Sequence, residues 1–139
     1  MESALTREIL FRGRRLDDGM FTCGDLSQHK DGRVAIRRWY RDTYRSDWVD
    51  PATVGQYAGR TDSRGNKIFE GDIVRITLPI GGGQQIVQVS EVYFDNGCFC
   101  VNWGGDFRPR PRTSIDSFIP TTIFEVIGNI HTSPELMAR

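Results

Sequence analysis

The chain has 139 residues, enough to bury a hydrophobic core without disulfides or metal. Eighteen basic residues balance eighteen acidic ones, which excludes a global electrostatic pull towards nucleic acid or a membrane surface. No apolar run approaches the ~18 residues that a spanning helix needs. Of the basic residues only Lys30 and Lys67 are lysines; the others are arginines, which grip phosphate and carboxylate with two parallel bonds and stack on aromatic rings.

Leu5 to Phe11 alternates as a first strand, with Arg14-Arg15-Leu16-Asp17-Asp18-Gly19 as a turn and Met20 to Cys23 returning. Gly24 and Asp25 are expected to break that strand. Lys30-Asp31-Gly32 is a hairpin signal, and Val34 to Tyr40 is its partner strand. The opening third therefore reads as two β-hairpins without a helix.

Arg33 to Trp48 interleaves Arg33, Arg37, Arg38, Arg41 and Arg45 with Trp39, Tyr40, Tyr44 and Trp48. Such a mixture suits a protein interface, where Trp, Tyr and Arg carry most binding energy. It also suits single-stranded nucleic acid, whose bases stack on aromatics while arginine meets phosphate. The plainer alternative is that the aromatics pack the hairpins and the arginines pair with Asp42, Asp47 and Asp50, acids that dilute the positive patch.

Asp50-Pro51 is expected to end this segment, and Thr53 to Tyr57 to form a short strand. Asp62-Ser63-Arg64-Gly65-Asn66 is turn chemistry. Glu70-Gly71-Asp72 makes a sharp reversal into an apolar strand from Ile73 to Leu78. Gly81-Gly82-Gly83 is a loop tip; no Lys-Ser or Lys-Thr follows it, so it is not a phosphate-binding P-loop. Gln85 to Phe94 is apolar on both faces near its end and is expected in the middle of a sheet. Asp95-Asn96-Gly97 fits a type I′ turn, with Cys98 to Trp103 returning. Arg108-Pro109-Arg110-Pro111-Arg112 is an extended basic arm, read either as a solvated loop or as a contact for an acidic partner. Ile115 to Ile119 is a short element, and Ile123 to Ile130 closes the fold with a kink or bulge at Gly128. Ser133-Pro134-Glu135 starts a short helical turn.

Residues 55–76, from Gly55-Gln56-Tyr57-Ala58-Gly59 through Glu70-Gly71-Asp72, resemble the signature of the YopX family of phage and prophage proteins. Arg7-Glu8-Ile9-Leu10-Phe11-Arg12, Asn96-Gly97-Cys98-Phe99 and Phe124-Glu125-Val126-Ile127-Gly128-Asn129-Ile130-His131 with Pro134-Glu135-Leu136 match the same family in order. Residues 13–54 and 100–120 depart from it. The resemblance implies an all-β, barrel-like fold and a small phage-encoded accessory protein, and it supplies no settled biochemical activity.

The expected fold is thus mainly β. N-terminal β-hairpins over 1–54 precede a small, strongly bent SH3-like barrel over 55–139 that ends in a short helical turn, the two forming one compact unit. Gly59, Asp62, Gly65, Glu70, Gly71, Asp72, Gly128 and Asn129 are read as structural motif residues. No catalytic set is found. Glu70 and Asp72 flank one turn, where carboxylates commonly accept backbone N–H groups. His29 and His131 complete neither a nucleophile–base pair nor a zinc site with Cys23, Cys98 and Cys100. The thiols are expected to be buried and reduced, Cys98 and Cys100 pointing the same way, in a protein of the bacterial cytoplasm. No enzyme activity, cofactor or metal is expected. The leading function is a homo-oligomeric accessory protein that binds a host or phage protein, in its sharper form a counter-defence factor. Its contacts are Arg37, Arg38, Trp39, Tyr40, Tyr44 and Trp48, with Arg108, Arg110 and Arg112 as a second basic surface. Binding of nucleic acid or a nucleotide is the alternative.

Overall fold

The computed structural model describes residues 5–105 and 110–137. The chain divides into two compact units, Met1–Gly59 and Arg60–Arg139. Among the described residues strand dominates, and the helical content is two single 3-10 turns.

The first unit holds β1 (Phe11–Arg15), β2 (Phe21–Gln28), β3 (Val34–Tyr40) and most of the long strand β4 (Thr43–Thr61). They pair antiparallel in the order β1-β2-β3-β4, and β1 also pairs with β4, so the sheet returns on itself. Closure brings small residues inward. A Cβ on Gly13 would lie 2.8 Å from Val49 Cγ2, and Ala35, Ile36 and Val49 form the buried apolar centre.

Several local expectations give way to non-local pairing. Leu5 and Ile9 alternate as a strand would, yet both are exposed, and the ladder begins at Phe11 and runs on through Arg14 and Arg15. Gly24 and Asp25 do not break β2. Gly24 pairs with Phe11 of β1 and Asp25 with Arg37 of β3, so the strand changes partner there. Only glycine fits at the change, because a Cβ on Gly24 would sit 2.3 Å from the Arg37 carbonyl oxygen. Asp50-Pro51 does not end β4 either. The register against β1 shifts between Arg12↔Gly55 and Arg14↔Asp50, and the Arg14 N–H donates to Thr53 Oγ1 at 2.9 Å in place of a ladder carbonyl. A bulge thus absorbs the proline, where its missing donor is tolerated.

The second unit opens with the end of β4 and continues through β5 (Lys67–Phe69), β6 (Asp72–Gly81), β7 (Gln84–Glu91), β8 (Tyr93–Asp95), β9 (Cys98–Asn102), β10 (Arg112–Ser114) and β11 (Ile123–Asn129). The 3-10 turns are Ile115–Ser117 and Pro134–Met137. Two three-stranded sheets result, β11-β6-β7 and β10-β9-β8. The stretch from Gln85 to Phe94 is therefore two strands. The Val92 N–H donates to the Asp72 carbonyl at 2.8 Å and its carbonyl accepts from Gly71 N–H at 2.7 Å, which takes Val92 out of both ladders. β7 also lies at the end of its sheet order rather than in the middle, with Ile86 and Val87 exposed. The Asn96-Gly97 turn is as expected: both residues have positive φ, 51° and 84°, as type I′ requires. A register shift between Val126 and Gly128 confirms the bulge in β11. Ile68, Ile73, Val74, Ile76, Val92, Val101 and Phe124 make the core. Phe118 is held edge-on between Trp103 and Phe124, its centroid 5.3 and 5.2 Å from theirs.

Candidate functional site

The arginine–aromatic segment is the β3–β4 hairpin, and its register decides what it presents. Arg38↔Arg45, Trp39↔Tyr44, Tyr40↔Thr43 and Ala35↔Trp48 are direct cross-strand partners. Side chains alternate across a strand pair. The six residues expected to act together therefore divide. Arg37, Trp39, Tyr44 and Trp48 lie on one face; Arg38 and Tyr40 lie on the other with Arg45.

The first face is a stacked aromatic surface. Trp39 is 71% exposed. Its ring leans on Tyr44, centroids 4.9 Å apart, and the Arg37 guanidinium lies 4.7 Å from the Tyr44 ring centre. The Tyr44 hydroxyl donates to the Asp25 carboxylate at 2.9 Å, which fixes the ring and raises the phenol pKa above its ordinary value. Further along, Trp48 is held by His29, centroids 4.6 Å apart, and by Arg33, 4.2 Å above its ring. Beside Trp48, Leu16, Arg33, Val34, Val49 and Pro51 line an open apolar hollow of about 460 Å³. The stacked rings and the hollow together present exposed aromatic and apolar surface on this face.

The second face carries Tyr40 with three guanidinium groups around it: Arg38, Arg41 and Arg45 lie 5.8, 5.6 and 5.5 Å from its ring centre. Arg45 approaches the buried Asp47 at 3.9 Å. Arg33, Arg41 and Arg45 belong to the same arginine–aromatic segment but are not among the six expected contacts; counting parity from the Tyr40–Thr43 pair places Arg45 with Tyr40, while Arg41 is a residue of the turn itself.

The second basic surface is less available. Arg108 lies outside the described residues. Arg110 is half-buried, with its Nε enclosed. Arg112 stands in β10 and is bound to Asp95 at 2.7 Å.

Of the signature residues, Asp62, Asp72 and Asn129 hold backbone turns. Asp62 is buried and takes four bonds: Oδ1 accepts the Arg64 and Asn66 N–H groups at 2.9 and 2.8 Å, and Oδ2 accepts Val126 N–H at 2.9 Å and Asn66 Nδ2 at 3.3 Å. Burial pushes its carboxyl up, but the N–H groups of Val126, Asn66 and Arg64 outweigh it and hold the pKa below the ordinary value. Asp72 is buried and accepts Phe69 N–H at 2.7 Å across the Gly71 reversal, where φ is 94°. Asn129 Oδ1 accepts His131 and Thr132 N–H at 2.9 and 3.0 Å and so starts the terminal turn. Burial and the neighbouring Glu70 raise the Glu91 carboxyl. Among the described residues no three His, Cys, Asp or Glu side chains gather as a metal site. No helix there is long and apolar enough to cross a membrane. The thiols differ from expectation: Cys23 and Cys98 are exposed and Cys100 is buried. The β8–β9 hairpin is open at its tip, where Cys98 pairs with Asp95, and covered where Cys100 pairs with both Tyr93 and Ser114.

The family model described as YopX protein matches residues 11–138. No curated protein matches the chain. The crystal structure of protein yopX from Bacillus subtilis is similar at 24% identity, with a TM-score of 0.60 over 91% of this chain and 96% of that one. Protein EF1440 from Enterococcus faecalis is similar at 19% identity, with a TM-score of 0.55 over 95% of this chain and 99% of that one. At these identities the two structures speak for the fold. With the family model spanning all but the ends, the chain belongs to the YopX family.

Proposed function

We propose that this chain is a non-enzymatic phage or prophage accessory protein that acts by binding a host or phage protein through the outer face of the β3–β4 hairpin. The observation that carries the reading is Trp39. A large indole stands 71% exposed while Tyr44, Arg37 and Asp25 hold its surroundings in place. An exposed, pre-positioned aromatic costs little entropy when a partner covers it, which is how interface anchors work. Ile80, Ile86 and Val87 in the β6–β7 hairpin are also exposed, and an apolar patch of that kind supports a homo-oligomer. Counter-defence against the host is the sharper form of this reading and rests on the family association. The alternative, binding of nucleic acid or a nucleotide, draws on the arginines of the same hairpin. The test is light scattering and an absorbance spectrum on the purified chain at low and high salt, followed by capture of partners from host lysate by wild type and by Trp39→Ala. A protein retained by wild type in high salt and lost by Trp39→Ala supports the reading. Nucleic acid that co-purifies and leaves in high salt supports the alternative. Equal capture by both chains overturns the role of Trp39.

A further inference from the structure

The inner face of the β3–β4 hairpin combines three features that are unfavourable in the chain by itself. Arg38 and Arg45 are direct cross-strand partners, and like charges placed opposite one another destabilise a strand pair. Arg41 has a φ of 57°. Asp42, the other central residue of the two-residue turn, is not among the positive-φ residues. A turn with positive φ at its first central position alone belongs to glycine by preference, and for a side chain like arginine it is a strained conformation. Finally, the Arg38 Nε is enclosed without a hydrogen-bond partner, a cost that folding ordinarily avoids.

All three converge on one place. The three guanidinium groups stand within 5.8 Å of the Tyr40 ring centre. A phenol ring has two faces, so it cannot offset three cations. Asp47 is the acid that approaches them, through Arg45 at 3.9 Å; among the described residues Arg38 and Arg41 make no ion pair. One multiply charged anion would relieve the repulsion and hold the Arg41 turn in its strained form. Phosphate matches best, because its tetrahedral oxygens accept paired bonds from several guanidinium groups.

We infer that Arg38, Arg41 and Arg45, gathered on Tyr40, form a binding site for a phosphate group. The phosphate comes either from a small phosphorylated molecule or from a nucleic-acid backbone. The site lies on the face of the hairpin opposite Trp39 and does not rest on the protein-binding reading. Tyr40 is part of its wall rather than a base-stacking platform, since arginines already surround the ring.

The test uses the full chain, inorganic pyrophosphate and a single-stranded oligothymidylate as probes, with titration calorimetry at low and at raised salt. Wild type is expected to bind pyrophosphate, the oligonucleotide, or both. Arg41→Gly is the informative variant. Glycine takes a positive φ without strain, so this variant is expected to melt no lower than wild type while losing at least about tenfold in affinity, the scale of one charge-assisted contact. Arg45→Gln, which leaves the turn alone, is expected to lose affinity similarly. Pyrophosphate bound and oligonucleotide unbound identifies a small phosphorylated ligand; the converse identifies a nucleic-acid backbone. Failure of wild type to bind either probe overturns the site, as does undiminished affinity in Arg41→Gly. Trp39→Ala is expected to bind whichever probe wild type binds, with the same affinity, so loss of partner capture and loss of phosphate binding are separable.

Discussion

Replacing Asp62 by alanine removes one side chain and unmakes a junction. Two of the backbone N–H groups it accepts, from Arg64 and Asn66, belong to its own turn, and the third comes from Val126, 64 residues away in β11. Arg64 and Asn66 are exposed, so water can replace the carboxylate for them at small cost. Val126 pairs with Val74 of β6, and its N–H lies on the other edge of β11, where the Phe124 carbonyl accepts from Ser63 N–H and the Asp62 carboxylate is the partner of Val126. A charged hydrogen bond of this kind contributes about 1.5–3 kcal/mol, and an orphaned buried donor costs about 1–3 kcal/mol. Taking the Val126 bond in full and the turn bonds at a fraction, the loss is about 3–5 kcal/mol. For a chain of this size that lowers Tm by roughly 10–15 °C. The assay is thermal and urea unfolding of Asp62→Ala followed by circular dichroism. The carboxyl pKa sets the pH dependence. Because the folded value is depressed, the charged form stabilises the fold above the ordinary value near 3.8; that contribution is lost as pH falls through the lower, folded value. Wild type is thus expected to lose stability in acid, and Asp62→Ala to lose less over the same range. A Tm within 2–3 °C of wild type, the shift expected of about 1 kcal/mol or less, would refute the junction.

Other expectations follow from single positions. Gly24→Ala places a Cβ 2.3 Å from the Arg37 carbonyl oxygen and 3.0 Å from its carbon; backbone cannot yield as a side chain can, so a loss of at least about 2 kcal/mol is expected in denaturant unfolding, and a stability equal to wild type would mean that β2 does not change partner there. Gly128→Ala meets Leu136 Cδ1 at 2.8 Å and Ser133 Cβ at 3.0 Å; the leucine can swing aside, so a smaller loss of about 1 kcal/mol is expected, with faster amide exchange confined to the terminal turn. Cys98 is exposed, whereas Cys100 is buried and burial pushes its thiol up; a thiol reagent followed by mass spectrometry is expected to label Cys98 in the native chain and Cys100 only on unfolding.

What the sequence makes legible is what a single turn requires. Asp95-Asn96-Gly97 could be assigned because a type I′ turn needs two left-handed residues and Asn-Gly supplies them. Asp62 and Asp72 could be placed at turns because short carboxylates accept nearby N–H groups. The points where a strand changes partner are not local facts. Gly24 and Pro51 look like interruptions in the sequence and Val92 does not, yet β2 and β4 run through the first two while Val92 divides β7 from β8. The outcome depends on what lies opposite: the Arg37 backbone for Gly24, Thr53 Oγ1 for the Pro51 bulge, the Gly71–Asp72 turn for Val92. The same limit applies to the hairpin surface. Its composition is plain in the sequence, but its division into two faces follows from the Tyr40–Thr43 register, and that turn carries no turn residue at its first central position.

That missing turn residue separates scaffold from function. The β8–β9 and β3–β4 hairpins each reverse in two residues. The first uses Asn96 and Gly97, whose backbones accept the geometry freely, and its strands bring Cys100 and Val101 into the core. The second places Arg41 at a positive φ, sets Arg38 against Arg45 and leaves Trp39 in solvent. Local sequence and global fold normally agree, because disagreement costs stability. One disagreement would be unremarkable. Three on one hairpin, all involving side chains suited to phosphate or to a partner surface, are what the proposed phosphate site requires. A chain carrying Arg41→Gly and Arg45→Thr together should be more stable than wild type in urea unfolding, since it restores the turn preference and removes the cross-strand repulsion, and it should have lost the phosphate site. If the double variant is instead less stable, the arginines support the hairpin and the division between scaffold and function fails at the point where it is drawn most sharply.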